Sequence, residues 1–217
     1  MRFPWKEDDI SGSIPPRTKI RGILETAMKC FTKKETISIL FVLLVLGIFS
    51  AYNFRISLRR GRDSQRKNDL GSLTETLIKY QIDFGTFPLA SSDGKILACP
   101  PVTTKGEGKQ ITFIYSPCEW GKDGIYDLSN PKATPYLKSL PIDPQNNLGV
   151  SYHYFSNGGT FQIYASLEGK DDDEYNPTVA KRNLSCGVRV CNFGKAYGKT
   201  PVDKSIEEYE NELNEKK

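Results

Sequence analysis

The sequence predicts an α+β protein in which one long N-terminal helix packs on a small antiparallel β-sheet. No charged residue lies between Glu35 and Arg55, and the apolar residues that follow at steps of three and four are typical of one helix face. Further on, Asn157-Gly158 stands between two alternating aromatic runs, which is the strongest short-range signal for a β-hairpin. A helix followed by strands indicates the α+β class.

The charge-free run is long enough to cross a membrane. About 20 apolar residues span the hydrocarbon core of a bilayer as a helix, and residues 37–54 approach that length. The run is too long, and too far from the N-terminus, for an ordinary cleaved signal peptide. We therefore interpret residues 35–58 as a single-pass anchor that contacts membrane lipid or sister helices through Ile37, Leu40, Leu43, Leu44, Gly47 and Ile48.

The same helix is expected to continue to residue 84 as an amphipathic half. No proline occurs between Glu35 and Pro88, and Gly85 suits the C-cap position. The apolar face of this half should cover one face of the sheet. It is predicted to form a helix–sheet core from five residues: Leu70, Leu73, Leu77, Tyr80 and Phe84.

The remaining chain is predicted to form a head on that helix. We expect a loop at residues 85–109, strands at 110–115, 151–155 and 160–167, a short helix or turn within 132–140, and another short strand within 186–193. The chain then has four segments: a partly disordered cytoplasmic extension (1–34), the anchor (35–58), an extracytoplasmic head that includes the amphipathic half of the helix (59–197), and a charged C-terminal tail (198–217).

The charge pattern argues against a nucleic-acid partner, because the net charge is only +4 over 217 residues and both signs are mixed. Counted alone, the basic residues directly after the apolar run would place the head in the cytoplasm. We expect this basic cluster to contact lipid headgroups and solvent; it consists of Arg55, Arg59, Arg60, Arg62, Arg66 and Lys67.

The cysteines favour the opposite orientation. Four of the five follow the apolar run, and an even number on one side suits two disulfides in an oxidising compartment, although four unrelated thiols are the alternative. We predict that Cys99 pairs with Cys118 and Cys186 with Cys191, because each pair closes a loop that otherwise lacks regular structure.

Four short motifs occur in a characteristic order over residues 37–168. They are the polar segment Gly61–Leu70 after the apolar run, the helix ending carried by Tyr80, Gly85, Phe87 and Pro88, the element Leu140-Pro141-Ile142-Asp143-Pro144, and the hairpin from Tyr152 to Glu168. In this order they resemble the type IV pilins, and more closely the pseudopilins of type II secretion systems, especially the major, G-type subunit. The resemblance implies a pilin-like fold, a cytoplasmic (inner) membrane location, and assembly with identical or different pilin-like subunits.

One motif departs from the family. The family's processing motif is Gly-Phe-Thr-Leu-Ile-Glu, and the family's chains are cut after its glycine. When Gly47 is aligned with the family's mid-helix glycine, Lys33 replaces the processing glycine and Ser38 replaces the glutamate. The glutamate that pairs with a neighbouring subunit's N-terminal amine in the family is therefore missing at this position.

The sequence contains no motif that indicates catalysis. The single histidine, His153, lies between two tyrosines on a predicted strand, and Cys186-x4-Cys191 lacks the second pair of ligands that zinc needs. The acidic turn at residues 171–174 has ligand character, and the pseudopilin resemblance allows a calcium site with Asp171 and Asp173 there. Consecutive acids are more often a solvated turn, so we expect no cofactor beyond weakly bound calcium.

Two functions follow from these observations. The first is a structural subunit of a type IV pilus-like or type II secretion pseudopilus-like assembly, which acts by packing of membrane-anchored helices. The second is a non-assembling single-pass protein whose head binds a ligand or partner, and the replaced processing glycine favours it. An enzyme comes third.

We predict that the N-terminal extension is retained in the mature protein, because Lys33 stands where the family's peptidase requires glycine. Mass spectrometry of the membrane-extracted protein should give the mass of the uncut chain. A mature chain that begins at or near Lys34 would contradict this prediction.

Overall fold

The computed structural model describes residues 32–105, 112–127 and 134–216. The chain divides into two compact units, an anchor unit (Met1–Arg55) and a head unit (Ile56–Lys217). Most of the predicted N-terminal extension, Cys30 included, lies outside the described residues, as do positions 110 and 111 of the first predicted strand.

Helix α1 runs from Lys33 to Phe84 and contributes to both units. Thr32 caps its N-terminus: the Thr32 N–H donates to the Glu35 carboxylate at 2.7 Å, and the Glu35 N–H donates to the Thr32 hydroxyl at 3.4 Å. This reciprocal pair is a capping box, and it starts the helix just before the apolar run. At the other end, Gly85 adopts a φ of +77° and donates its N–H to Gln81, as expected of a C-cap glycine.

The anchor unit presents an unpartnered apolar surface. Its most apolar 18-residue stretch has a mean hydropathy of 2.2 and no buried residue. By length and composition, α1 can cross a membrane. All six predicted anchor positions lie on this helix. Their contact with lipid or sister helices stays a prediction.

Among its described residues, the head unit contains the strands and two further helices. The strands are β1 (Leu89–Ala90), β2 (Ile96–Lys105), β3 (Thr112–Pro117), β4 (His153–Ser156), β5 (Phe161–Ala165), β6 (Ser185–Cys186), β7 (Arg189–Val190) and β8 (Phe193–Ala196). The helices are α2 (Pro177–Lys181) and α3 (Ile206–Glu215), with a 3-10 turn at Asn146–Leu148. The strands pair antiparallel in the orders β1-β2-β3, β4-β5-β8 and β6-β7. The predicted α+β class is thus confirmed.

The predicted hairpin is strands β4 and β5, with His153 opposite Tyr164 and Ser156 opposite Phe161. Its turn is closed by Asn157, whose side-chain oxygen accepts from the N–H groups of Gly159 and Thr160 at 3.1 Å each. Asn and Gly stabilise such turns through local side-chain bonds and positive φ; Gly158 has a φ of +87°.

Three predicted elements differ from the structure. The expected loop at 85–109 contains β1 and the ten-residue strand β2, although Cys99 is followed by two prolines. Proline is tolerated in a strand where the ladder is irregular, and the register of β2 with β3 shifts between Cys99 and Thr103. Of the short helix or turn expected within 132–140, the described residues 134–140 form bends and no helix. Residues 186–193 are divided between the β6–β7 hairpin and the start of β8.

The amphipathic half of α1 covers one face of the β4–β5–β8 sheet. Leu70, Leu73 and Leu77 are fully buried and Tyr80 is nearly so. They belong to one core with sheet residues Tyr154, Phe161, Ile163 and Ala165. Phe84 is the exception among the predicted core residues. It is 36% exposed and lies at the rim, where it stacks on Tyr80 at the helix end.

The opposite face of the sheet is covered by the C-terminal part of the chain. The Gln162 side chain donates to the carbonyls of Pro201 and Lys204 at 2.5 and 2.7 Å, and the Tyr164 hydroxyl donates to the Val202 carbonyl at 2.9 Å. The structure therefore places residues 198–217, predicted as a separate tail, in the head unit, and all five residues of β5 are buried.

Both predicted disulfides are present. Cys99 in β2 is bonded to Cys118, which follows β3, and Cys186 is bonded to Cys191 across the β6–β7 hairpin. Each covalent link restricts the unfolded chain and typically stabilises a fold by about 2–4 kcal/mol.

We predict that Leu77→Ala destabilises the head, because Leu77 is fully buried against the sheet. A buried Leu→Ala change typically costs about 2–5 kcal/mol, so the melting temperature of a head fragment beginning at Ile56 should fall. Lys79→Ala, at an exposed position of the same helix, should change it little. Equal and negligible effects of the two changes would mean that the helix does not pack on the sheet.

Candidate functional site

The main polar feature of the head unit is an ion-pair network between α1 and the loop after β5. We call residues Arg59–Lys67 the collar and residues Glu168–Glu174 the acidic turn. Every collar cation except Arg60 lies within 3.1 Å of a carboxylate oxygen. Arg60 is 4.0 Å from Asp171 and 71% exposed. The collar and the acidic turn thus neutralise each other.

Arg66 is the centre of the network and is completely buried. Its guanidinium makes a bidentate pair with Asp143, with Nε–Oδ2 and Nη2–Oδ1 distances of 2.7 and 3.0 Å. It also donates to Asp63 at 2.8 Å, to Glu168 at 3.0 Å and to the Gln145 side chain at 3.0 Å. A buried charge is tolerated only when its hydrogen-bonding groups are satisfied, and these partners satisfy it.

Asp63 connects the helix to the acidic turn through the backbone. Its two carboxylate oxygens accept the N–H groups of Glu168 and Gly169, each at 2.9 Å. Because Asp63 and Arg66 are three residues apart on α1, their side chains lie on the same helix face. One helix face therefore presents both an anion and a cation to the same loop.

The turn that carries Asp143 positions the carboxylate for Arg66. Pro141 and Pro144 flank it and restrict the backbone. The Gln145 N–H donates to Asp143 Oδ1 at 2.7 Å and orients the carboxylate. The Leu-Pro-x-Asp-Pro element of the head therefore has a physical role: its Asp143 carboxylate binds Arg66 of α1.

Charge pairing keeps Glu168 and Arg66 ionised. The pKa of Glu168 is lowered to about 2, mainly by two hydrogen bonds from Arg62 at 2.6 and 2.7 Å. Burial acts in the opposite direction, and hydrogen bonding to Arg66 lowers the pKa further. Burial by itself lowers the pKa of Arg66, but the hydrogen bonds with Asp143 and Glu168 outweigh it and the net shift is upward. Glu168 and Arg66 are thus both charged at neutral pH.

The outer part of the network is more exposed. Arg59 pairs with Asp171 at 2.7 Å, and Lys67 pairs with Asp172 at 3.0 Å and with Glu174 at 3.1 Å. Asp173 is exposed. Together these groups line a pocket of about 530 Å³.

The predicted calcium residues lie in this outer part. The Arg59 guanidinium already engages Asp171, so calcium would have to compete with it. Within the part of the chain that the structure describes, no three His, Cys, Asp or Glu side chains converge as a metal site. Calcium at Asp171 and Asp173 stays a prediction, and we expect its binding to be weak.

His153 has a structural environment. Its Nδ1 lies 2.8 Å from the Ser185 carbonyl oxygen, and its ring packs 4.4 Å from that of Phe155. Burial lowers the pKa of the imidazole, so the ring is neutral at neutral pH. Both contacts are structural, one to a backbone carbonyl and one to a neighbouring ring.

The sequence analysis missed the buried network. It assigned the whole basic cluster to lipid headgroups and solvent, whereas Arg66 is completely buried and Arg62 is paired. The signal was available in the complementary charges of the cluster and of residues 168–174. Only the fold shows that these two segments, about a hundred residues apart in the chain, meet.

A scan against protein-family models and searches of curated proteins and of solved structures returned no match. The features that the chain shares with pilins are those of layout: a long N-terminal apolar helix, a small antiparallel sheet on its second half, and disulfides in the head.

We predict that the head loses stability in acid through Glu168. A carboxyl with a lower pKa in the folded protein stabilises the fold above its unfolded pKa, about 4.3 for glutamate, and this stabilisation is lost as pH falls through the folded pKa. The melting temperature should therefore drop between about pH 4.3 and pH 2. Glu168→Gln should lower it at pH 7 and weaken the drop, while Glu215→Gln, at an exposed position, should do neither. Parallel pH profiles for wild type and Glu168→Gln would refute this assignment.

Proposed function

We propose that the protein is a membrane-anchored structural subunit that assembles through its N-terminal helix, as part of a type IV pilus-like or type II secretion pseudopilus-like structure. The observation that carries this proposal is the apolar surface of the anchor unit, on which residues such as Leu40, Phe41 and Leu44 are at least 60% exposed. A surface of this kind is stable only in lipid or against other helices.

Apolar burial alone does not choose between lipid and sister helices. Burial is worth about 25 cal/mol per Å² for surface that otherwise meets water, and lipid already provides it. Association in a membrane depends instead on close packing, which small residues favour. Gly47 suits such packing, since an added Cβ there would have nothing within 4 Å and the helix backbone is accessible.

The head supports a structural rather than a catalytic role. Among the described residues, its buried charged groups are Arg66, Asp63 and Asp143. Arg66 pairs with both aspartates, and these bonds connect structural segments. Glu168, whose pKa is strongly lowered, is held ionised by Arg62 and Arg66. Perturbed groups at active sites usually face a cleft, whereas these serve to fix a helix.

We further propose that the anchor lies in the cytoplasmic (inner) membrane with the head outside the cytoplasm. The two disulfides of the head favour an oxidising compartment. The basic cluster after the apolar run argues less strongly for a cytoplasmic head than its count suggests, because in the folded head most of its charges are paired.

The alternative is an anchored head that does not assemble and binds a partner at the surface. Lys33 and Ser38, which replace the glycine and glutamate of the pilin processing motif, favour this alternative. The two functions differ in whether anchor helices contact one another in the membrane.

We predict that anchor helices can be cross-linked to one another in native membranes. A cysteine introduced by Leu44→Cys, in a chain whose Cys30 is changed to serine, should give dimers on mild oxidation because Leu44 is exposed on the anchor helix. Gly47→Leu should reduce the cross-linked fraction, since a large side chain prevents close approach.

The matched control is Leu46→Ile, which conserves the volume of an exposed anchor residue and should leave the cross-linked fraction unchanged. A protein that remains monomeric in every variant would favour the non-assembling alternative. Equal cross-linking with Gly47→Leu would show that the contact between anchor helices does not require close packing at Gly47.

A further inference from the structure

The pocket between the collar and the acidic turn carries charges of both signs. Three of its lining residues are cations (Arg59, Arg60, Lys67) and five are acids (Asp63, Asp171, Asp172, Asp173, Glu174), which gives a formal charge of 3 − 5 = −2. A basic surface that attracts anionic lipid would have the opposite balance. The pocket instead suits a ligand that carries a cation and an anion side by side.

The cationic side of the pocket has unused hydrogen-bonding capacity. Nη2 of the Arg59 guanidinium bonds to Asp171, and Nε of the same group is shielded from the pocket, so the accessible donors lie beside Arg59. Arg60 is 71% exposed and Ser64 adds a hydroxyl at the same pocket. Guanidinium groups bind phosphate oxygens with strong, directional hydrogen bonds.

The anionic side has accessible carboxylates. The side chains of Asp171 and Glu174 are 54% and 49% exposed, and Asp173 is exposed beside them. Carboxylates accept hydrogen bonds and bind an ammonium group well because it offers three donors.

The sequence position of the pocket indicates where its ligand comes from. Arg59 directly follows Leu58, the last residue of the predicted anchor. Residues just beyond a membrane span lie at the level of the lipid headgroups. This step rests on the membrane anchoring proposed above.

We propose that the pocket binds the phosphoethanolamine headgroup of a zwitterionic phospholipid. Arg59, Arg60 and Ser64 hold the phosphate, and Asp173 and Glu174 hold the ammonium. Phosphatidylcholine fits less well because its trimethylammonium has no N–H to donate. Phosphatidylglycerol fits less well because it has no cation and the pocket is net negative.

This selectivity is opposite to that expected from the basic collar alone. A free cluster of arginine and lysine prefers anionic lipids, whereas a cluster neutralised by the acidic turn should prefer phosphatidylethanolamine. The two expectations can be separated by a direct competition among lipids.

The test is native mass spectrometry of the full-length protein released from detergent micelles that contain equal amounts of phosphatidylethanolamine, phosphatidylcholine and phosphatidylglycerol with identical acyl chains. We expect phosphatidylethanolamine to be retained about tenfold over each of the others, the ratio that about 1.4 kcal/mol produces. Equal retention, or a preference for phosphatidylglycerol, would overturn the proposal.

Variants locate the site. Asp173→Asn, an exposed change that should leave the fold intact, and Arg59→Gln should each abolish most of the preference. Lys79→Ala, at an exposed position further along α1, should preserve it. A preference unaffected by Asp173→Asn would overturn the assignment whether or not Arg59→Gln folds.

Soluble competitors distinguish a lipid headgroup from a free phosphate. Phosphoethanolamine should displace the lipid at lower concentration than inorganic phosphate does; equal displacement would indicate a simple phosphate site and refute the proposal. Failure of the headgroup site can be distinguished from failure of the proposed membrane anchoring. A protein that does not fractionate with membranes would refute anchoring, whereas one that does but shows no lipid preference would refute only the headgroup site.

Discussion

The head depends on one buried charge. Arg66 is completely removed from solvent, and a guanidinium in that position must have carboxylate partners or the fold would pay a desolvation cost of several kcal/mol. The partners come from three places: Asp63 on the same helix, Asp143 in the proline-flanked turn, and Glu168 after β5. Because all must reach one planar group at hydrogen-bond distance, the helix, the turn and the end of the sheet have a single compatible arrangement.

The ion-pair network and the stripe of buried leucines on α1 contribute differently to the stability and geometry of the head. Leu70, Leu73 and Leu77 supply burial energy, which is not directional and would tolerate small rotations of the helix. A buried ion pair adds little net stability compared with apolar residues of the same volume, but in some proteins it specifies register. We therefore interpret the stripe as the source of stability and the network as what orients the helix on the sheet. A subunit that packs through its helix would benefit from such a fixed orientation.

Pairing within the head also changes how the basic cluster should be interpreted. In the sequence the cluster indicates contact with lipid headgroups and solvent, and counted alone it favours a cytoplasmic head. In the structure Arg59, Arg62 and Lys67 already bind carboxylates, and the surface that remains is a mixed-charge pocket. Pairing of the basic cluster with the acidic turn weakens its argument for a cytoplasmic head, which the disulfides oppose. The same pairing creates the mixed-charge pocket on which the lipid proposal rests.

The sequence by itself determined the features that depend on local pattern: the apolar run, the helical spacing from Leu70 to Tyr80, the Asn157-Gly158 turn and the even number of cysteines after the run. These could be predicted because they can be recognised from neighbouring residues or from the order of residues along the chain. Tertiary structure alone decided the strand around Pro100 and Pro101, which the irregular β2–β3 register accommodates. It also decided the burial of the second face of β5, which the C-terminal segment covers. It also decided that Arg66 is buried and paired, because its partners at positions 143 and 168 are distant in the chain. A charged residue on a helix is exposed or buried according to what folds against it, and that information is not local.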